Sequence, residues 1–294
     1  MTSEQHETGR VAVAKTCKLY VGGKFPRSES GRVYPVRAAD GALLANAALA
    51  SRKDVRDAVA AARGAFPGWS GATAYNRGQV LFRIAEVMEG RRAQFGADVA
   101  AAEGLGADEA AAVVDAAIDR VVWFAGWTDK ITGVLGAANP VAGPYFSFSV
   151  PEPTGVVGVL APQDSSLLGL VSVLAPVLAA GNTAVVVTSA ERPLPAITLS
   201  EVLATSDVPG GVANLLTGTV AELAPRLASH ADVNALDLTG APADLRPELE
   251  RAAAGTVTRV LRTGRAEPDW TAAPGLERLR AFTELKTVWH PVGT

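Results

Sequence analysis

One cysteine in 294 residues, Cys17, leaves no partner for an intramolecular disulfide and fits a reducing, cytoplasmic setting. The three histidines, His6, His230 and His290, show no ligand spacing, so the sequence marks no metal centre and ordinary surface positions are expected. The 27 Lys and Arg residues form no clustered basic face, and a net charge of −3 gives nucleic acid no electrostatic reason to bind. Charged residues make up only 19%, while 48% are hydrophobic, which is a globular rather than a disordered composition.

Residues 1–16 are polar apart from Val11-Ala-Val-Ala14, a run too short for a signal-peptide core, and a flexible tail is expected there. The stretch 165–190 carries no charge and is long enough to cross a bilayer. Pro176 and Gly181-Asn182 interrupt it, and Thr183-Ala-Val-Val-Val187 is β-branched. A buried helix, a turn and a buried strand account for the same residues without a membrane.

Gly22-Gly23 inside 18–25 predicts a hairpin with a primed turn. Extended pieces follow at 33–34 and 43–49, split by Asp40-Gly41. Ser51 reads as an N-cap, with Asp54 in the first turn of a helix ending near Phe66-Pro-Gly-Trp69. An amphipathic helix is predicted over 73–88, with further helical sequence over 97–102 and 109–130. A loop is expected from 133 to 144 and an alternating strand over 145–150. From Thr154 the pattern becomes strands at 156–160, 183–187, 213–216 and 235–238, separated by helices at 167–178, 196–205 and 221–229. Continuous Val/Leu strands alternating with helices predict an α/β fold, a parallel sheet flanked by helices on both faces. Such a sheet binds its ligand at the carboxyl ends of the strands.

Three sets of residues carry a family resemblance. The first comprises Leu19-Tyr-Val-Gly-Gly23, Ala58-Val-Ala-Ala-Ala-Arg63 with Phe66-Pro-Gly-Trp69, and Phe124-Ala-Gly-Trp-Thr-Asp-Lys130. The second is Glu152-Pro-Thr-Gly-Val-Val-Gly-Val-Leu-Ala-Pro162 with Leu174-Ala-Pro-Val-Leu-Ala-Ala-Gly-Asn-Thr183. The third is Leu279-Arg-Ala-Phe-Thr-Glu-Leu-Lys-Thr-Val-Trp-His-Pro-Val292. In this order they resemble the aldehyde dehydrogenase superfamily, from Leu19 to Arg262 and again from about Leu276. The resemblance implies a Rossmann-like cofactor domain at 151–262, preceded by hairpins and helices over 17–130 that pack on it. It also implies an oligomerisation arm made of 131–150 and 276–294. A connector, 263–275, stands where the family keeps its catalytic domain, so the chain reads as a truncated member.

The family oxidises aldehydes through a cysteine thiolate, with hydride passing to NAD(P), an Asn holding the oxyanion and a Glu activating water. Each implied position can be read. Pro162-Gln163-Asp164 stands where the Asn-bearing loop belongs, and an ionised Asp164 can neither donate a hydrogen bond nor tolerate an oxyanion. Thr188 replaces the ribose-binding lysine while Glu191 keeps its place. Gly218 is followed by Thr219-Val-Ala-Glu222 rather than further glycines. Thr239 and Gly240 persist in the pyrophosphate loop, but Ala241 lacks the usual hydroxyl and Pro242 lacks an N–H. After Thr258-Arg-Val-Leu-Arg262 the acid and nucleophile segments do not follow. Cys17, just before the first hairpin on a segment expected to be mobile, has no His or helix N-terminus in sequence to depress its pKa and is not read as a nucleophile. Asp164 and Glu191 are read as solvated remnants rather than an acid pair, and Trp123, Phe124 and Trp127 as packing against the sheet domain.

The arm is expected to comprise a hairpin of 131–135 with the strand from Tyr145 to Val150, plus a tail strand from Glu284 to Trp289. Its usual docking surface, a neighbour's catalytic domain, has no counterpart here. The expectation is a pseudoenzyme: a non-catalytic structural or regulatory subunit in a hetero-oligomer with a full-length aldehyde dehydrogenase paralogue. Two alternatives stand beside it. One is an NAD(P)-binding sensor without turnover, with NAD or NADP weakened as a cofactor by the changes above. The other is an active NAD(P)-dependent aldehyde oxidoreductase.

Overall fold

The computed structural model describes residues 13–261, 264 and 267–293. An N-terminal sheet joins β1 (Lys15–Cys17), β2 (Val33–Arg37) and β3 (Leu43–Ala48) in the order β1-β3-β2. Helices α1 (Arg52–Gly71), α2 (Ala74–Gly90), α3 (Arg92–Glu103) and α4 (Ala107–Ala125) follow. Then come α5 (Ile131–Leu135), β4 (Ala137–Asn139) and β5 (Tyr145–Pro153). The α/β unit comprises β6 (Val156–Leu160), α6 (Leu168–Ala179), β7 (Thr183–Val187), α7 (Leu194–Leu203), β8 (Ala213–Leu216), α8 (Val220–Ala228), β9 (Ala235–Asp237), α9 (Arg246–Ala254) and β10 (Arg259–Leu261). Helix α10 (Glu277–Ala281) and strand β11 (Thr283–Pro291) close the described chain.

The central sheet runs β10-β9-β6-β7-β8 with every pairing parallel. Its strands are apolar on both faces because both faces are covered. Val157, Val159, Ala184 and Val186 join the core formed with α2, α3, α4 and α6. Their alternates Val156, Leu160, Val185 and Val187 join a second core with α1, α8 and α9. Period-two alternation thus places one apolar set on each side. The order reverses at β6, whose neighbours are β7 on one side and β9 on the other. The crevice beyond the β6 and β9 carboxyl ends is therefore the ligand position that open α/β sheets favour.

Local signals hold where short-range chemistry dictates them. The Ser51 side chain accepts from Lys53 N and Asp54 N while Asp54 Oδ2 accepts from Ser51 N, a reciprocal cap on α1. Gly22 and Gly23, at φ +61° and +77°, make the primed turn between Val21 and Lys24. Beyond that turn Leu19 N donates to Pro26 O at 3.1 Å, continuing the short hairpin, while Tyr20 pairs with Leu215 of β8 and stitches the segment to the central sheet.

Three expectations are corrected. Residues 131–135 form α5 instead of an arm strand, because Ile131 N donates to Trp127 O and Val134 N to Lys130 O, and Ile131 is drawn into the core. Strand β4, inside the stretch expected to be loop, pairs with β5 in its place. The stretch 1–16, expected as a flexible tail, reaches into ordered structure: Lys15 and Thr16 belong to β1, which runs parallel to β3. Residues 1–12 of that tail lie outside the described residues.

The arm is a three-stranded sheet, β11-β5-β4, with nine antiparallel pairs from Thr283–Pro153 to Pro291–Tyr145. Strand β5 continues past residue 150 to Pro153, joining arm and α/β unit without a break. Tyr145 and Trp289 meet edge to face at 5.8 Å between ring centres, and Phe146 and Phe148 lie 5.5 Å apart. Tyr145, Phe146, Leu285 and Trp289 remain 46–63% exposed. In this sheet β11 and β4 present open backbone edges among the described residues.

Candidate functional site

The loops at the carboxyl ends of β6 to β9 hold all eight residues singled out from the sequence. After β6, Pro162 is buried and the Gln163 side chain spans two loops: Nε2 donates to Ala161 O at 2.7 Å, and Oε1 accepts from Ala190 N at 3.1 Å. Ser189 Oγ donates to Gln163 O at 2.9 Å. Asp164 turns outward, its side chain 82% exposed and 3.6 Å from Arg192, which also donates to Asp164 O. A carboxylate in this position offers nothing to an oxyanion.

Thr188 is buried, donating to Leu216 O at 3.3 Å across to the next strand. Glu191 is exposed at the rim of a cleft of about 490 Å³ that Tyr34, Arg37 and Arg192 also line. It is the one expected cofactor residue that faces open space with its acceptor oxygens uncommitted among the described residues. Gly218, at φ +145°, lets the β8 loop pass Ala50, whose N–H donates to Thr217 O.

Thr239 and Gly240 follow β9, at the crevice. A phosphate loop binds through free backbone N–H groups, and here those groups are committed. Thr239 N donates to Asp237 Oδ1 at 3.0 Å, Gly240 N to Leu160 O at 2.9 Å and Ala241 N to Leu238 O at 3.0 Å. Gly240 lies so close to β6 that a Cβ there would sit 1.8 Å from Ala161 O. The glycine serves chain-to-chain packing.

Arg278 of α10, missed from the sequence, completes the closure. Its Nε pairs with Asp237 Oδ2 at 2.9 Å and its Nη2 donates to Thr239 Oγ1 at 2.8 Å. Asp237 is fully buried, and the guanidinium lies over the Trp270 ring, 5.4 Å from its centre. Trp270 belongs to the connector, and buried Arg120 of α4 donates to Trp270 O and Ala272 O, and to Ser172 Oγ of α6. Arg246 donates to Thr239 O and Gly264 O. Connector residues 263, 265 and 266 lie outside the described residues. The described part is a packed plug over the sheet rather than a bare linker. One signal was available: an acid in the apolar run Ala235-Leu236-Asp237-Leu238 demands a buried cationic partner.

Cys17 is not on a mobile segment, as its position before the first hairpin suggested. It is buried in β1 among Val36, Ala45, Ala47 and Ile197. Burial pushes its thiol pKa up, against a smaller lowering by Lys15, so the thiolate is disfavoured. Ellman's reagent at pH 8 is expected to leave Cys17 unmodified in the native protein and to react at once in denaturant. Rapid native labelling would contradict the burial.

The profile of the aldehyde dehydrogenase family matches residues 25–264. The cytosolic 10-formyltetrahydrofolate dehydrogenase of Mus musculus is 33% identical over 234 residues, covering 76% of this chain and 25% of that protein. Retinal dehydrogenase 2 of Gallus gallus is 34% identical over 235 residues, 77% of this chain and 44% of its own length. A betaine aldehyde dehydrogenase from Staphylococcus aureus, solved in complex with NAD+, superposes with a TM-score of 0.77 at 25% identity. That alignment covers 83% of this chain and 49% of the other. The chain belongs to the aldehyde dehydrogenase family and has its α/β fold. It spans a quarter to a half of the relatives it matches.

Proposed function

We propose that this chain is a non-catalytic family member that serves as a structural or regulatory subunit beside a full-length aldehyde dehydrogenase. The observation that carries the reading is the state of the crevice. The family's cofactor loop spends its amides on its own backbone and on Asp237, and the connector and Arg278 pack over it. Asp164 faces solvent where an amide donor is needed, and the one cysteine in the sequence is buried in a separate sheet. The arm, in contrast, keeps its strands and its aromatic side chains. An open edge of that kind favours pairing with another chain by strand addition. The partner surface is the catalytic-domain sheet of a full-length relative, reached through the strand from Tyr145 to Val150 and the one from Glu284 to Trp289.

Glu191 at an open cleft favours a second reading, an NAD(P) sensor without turnover. Incubating the isolated chain with NAD or NADP and a broad aldehyde panel is expected to give no reduced cofactor, and calorimetry with millimolar NAD or NADP no heat. Heat without turnover would transfer the reading to a sensor. Turnover would remove both in favour of a working oxidoreductase.

A further inference from the structure

The N-terminal sheet has two unlike faces. Ala47 packs with Ile197 of α7, whereas Thr16, Lys18, Val33 and Ala48 border a cavity of about 290 Å³, and Cys17 belongs to the packed cluster and also lines this cavity. The loop from Arg27 to Arg32 forms its other wall, folded back by a turn in which Gly31, at φ +66°, donates from its N–H to Ser28 O. Three cations, Lys18, Arg27 and Arg32, line this space, and no carboxylate does.

The nearby acids are committed elsewhere. Asp54 accepts from Ser28 Oγ, Glu29 N and Ser51 N, and Glu29 accepts from Ser51 Oγ. Arg32 has a loose contact with Glu222 at 3.8 Å. Lys18 and Arg27 have no ion-pair partner among the described residues. Like charges converging on one cavity repel one another unless something negative sits among them, and a half-enclosed cavity strengthens that field.

We propose that this cavity binds a small multivalent oxyanion of the phosphate class. Arg27 and Arg32 supply fork-shaped donors, Lys18 a mobile ammonium, and Thr16 a hydroxyl at the same mouth. The volume lies at or below the lower end for small-molecule pockets, which restricts the ligand to a phosphate, pyrophosphate or short phosphate ester. The site lies on a different sheet from the crevice, and the proposal stands independently of the subunit reading.

Inorganic pyrophosphate titrated into the whole chain at low salt is expected to give saturable one-to-one heat, with Kd below about 1 mM. Lys18→Glu and Arg27→Glu should each weaken it by about tenfold or more. Both side chains are exposed, so these variants should keep the wild-type circular dichroism. Arg192→Ala, at the cofactor loops, should leave the affinity unchanged. Citrate binding as tightly as pyrophosphate would reduce the site to an unselective cation cluster and overturn the phosphate assignment. Absence of saturable heat, indifference to both charge reversals, or loss of binding in Arg192→Ala would each overturn the site itself.

Discussion

Replacing Asp237 with alanine should lower the unfolding free energy by about 3–5 kcal/mol, the range for breaking a buried ion pair on one side. The substitution leaves the Arg278 guanidinium, only 17% exposed, without a counter-charge. Arg120, itself buried, has its pKa lowered first by burial and then by the nearby Arg278 charge, so removing the carboxylate leaves two cations in one region. Thr239 loses the acceptor for both its N–H and its hydroxyl. The effect should spread outward, because Arg278 ties α10, and through it β11, to the end of β9. Arg278→Ala should cost less than Asp237→Ala, since the carboxylate keeps two Thr239 donors. The double variant should cost clearly less than the sum of the singles, the mark of a direct interaction. Chemical denaturation midpoints at constant slope measure all three. A loss below about 1 kcal/mol for Asp237→Ala would show that the plug is not held this way.

Leu285→Arg combined with Trp289→Arg should abolish capture of the full-length partner while leaving the fold of the chain intact. Both side chains are more than half exposed, so their replacement costs the isolated chain little. They lie four residues apart on β11, on the same face of the strand, and Trp289 rests edge-on against Tyr145. Two arginines there would place unpaired charge in an interface core, where charges are depleted and aromatics enriched. Co-expression with a tagged full-length paralogue reads this directly: wild type retained, double variant lost. Retention of the double variant would move the contact elsewhere on the molecule.

Strands β6, β7 and β8 were legible from the sequence with their true ends, because burial on both faces keeps each apolar apart from Thr183 and Asn214. Helix ends were less so. Phe66-Pro67 suggested a stop, yet α1 continues to Gly71. Pro67 sits on the exposed side, where the carbonyl it orphans reaches water, and Trp69 beyond it donates to Leu178 O. Segment 131–135 reads equally as strand or helix over five residues, and only the turn that precedes it and the core under Ile131 decide.

The eight site residues lie in the loops at the strand ends, but their bonding was not legible. That Gly240 donates to Leu160 rather than to a ligand depends on how closely two loops approach. The Asp237–Arg278 pair joins residues 41 positions apart, and no periodicity links them. On β5 the adjacent Tyr145 and Phe146 are both exposed, which alternation along the strand does not foretell.

Native mass spectrometry of the assembly purified through this chain, at its natural level in its own cells, bears most directly on the subunit reading. A mixed oligomer containing a full-length aldehyde dehydrogenase is the predicted result. A stable, monodisperse oligomer of this chain alone, with nothing bound at the β11 edge, would contradict it.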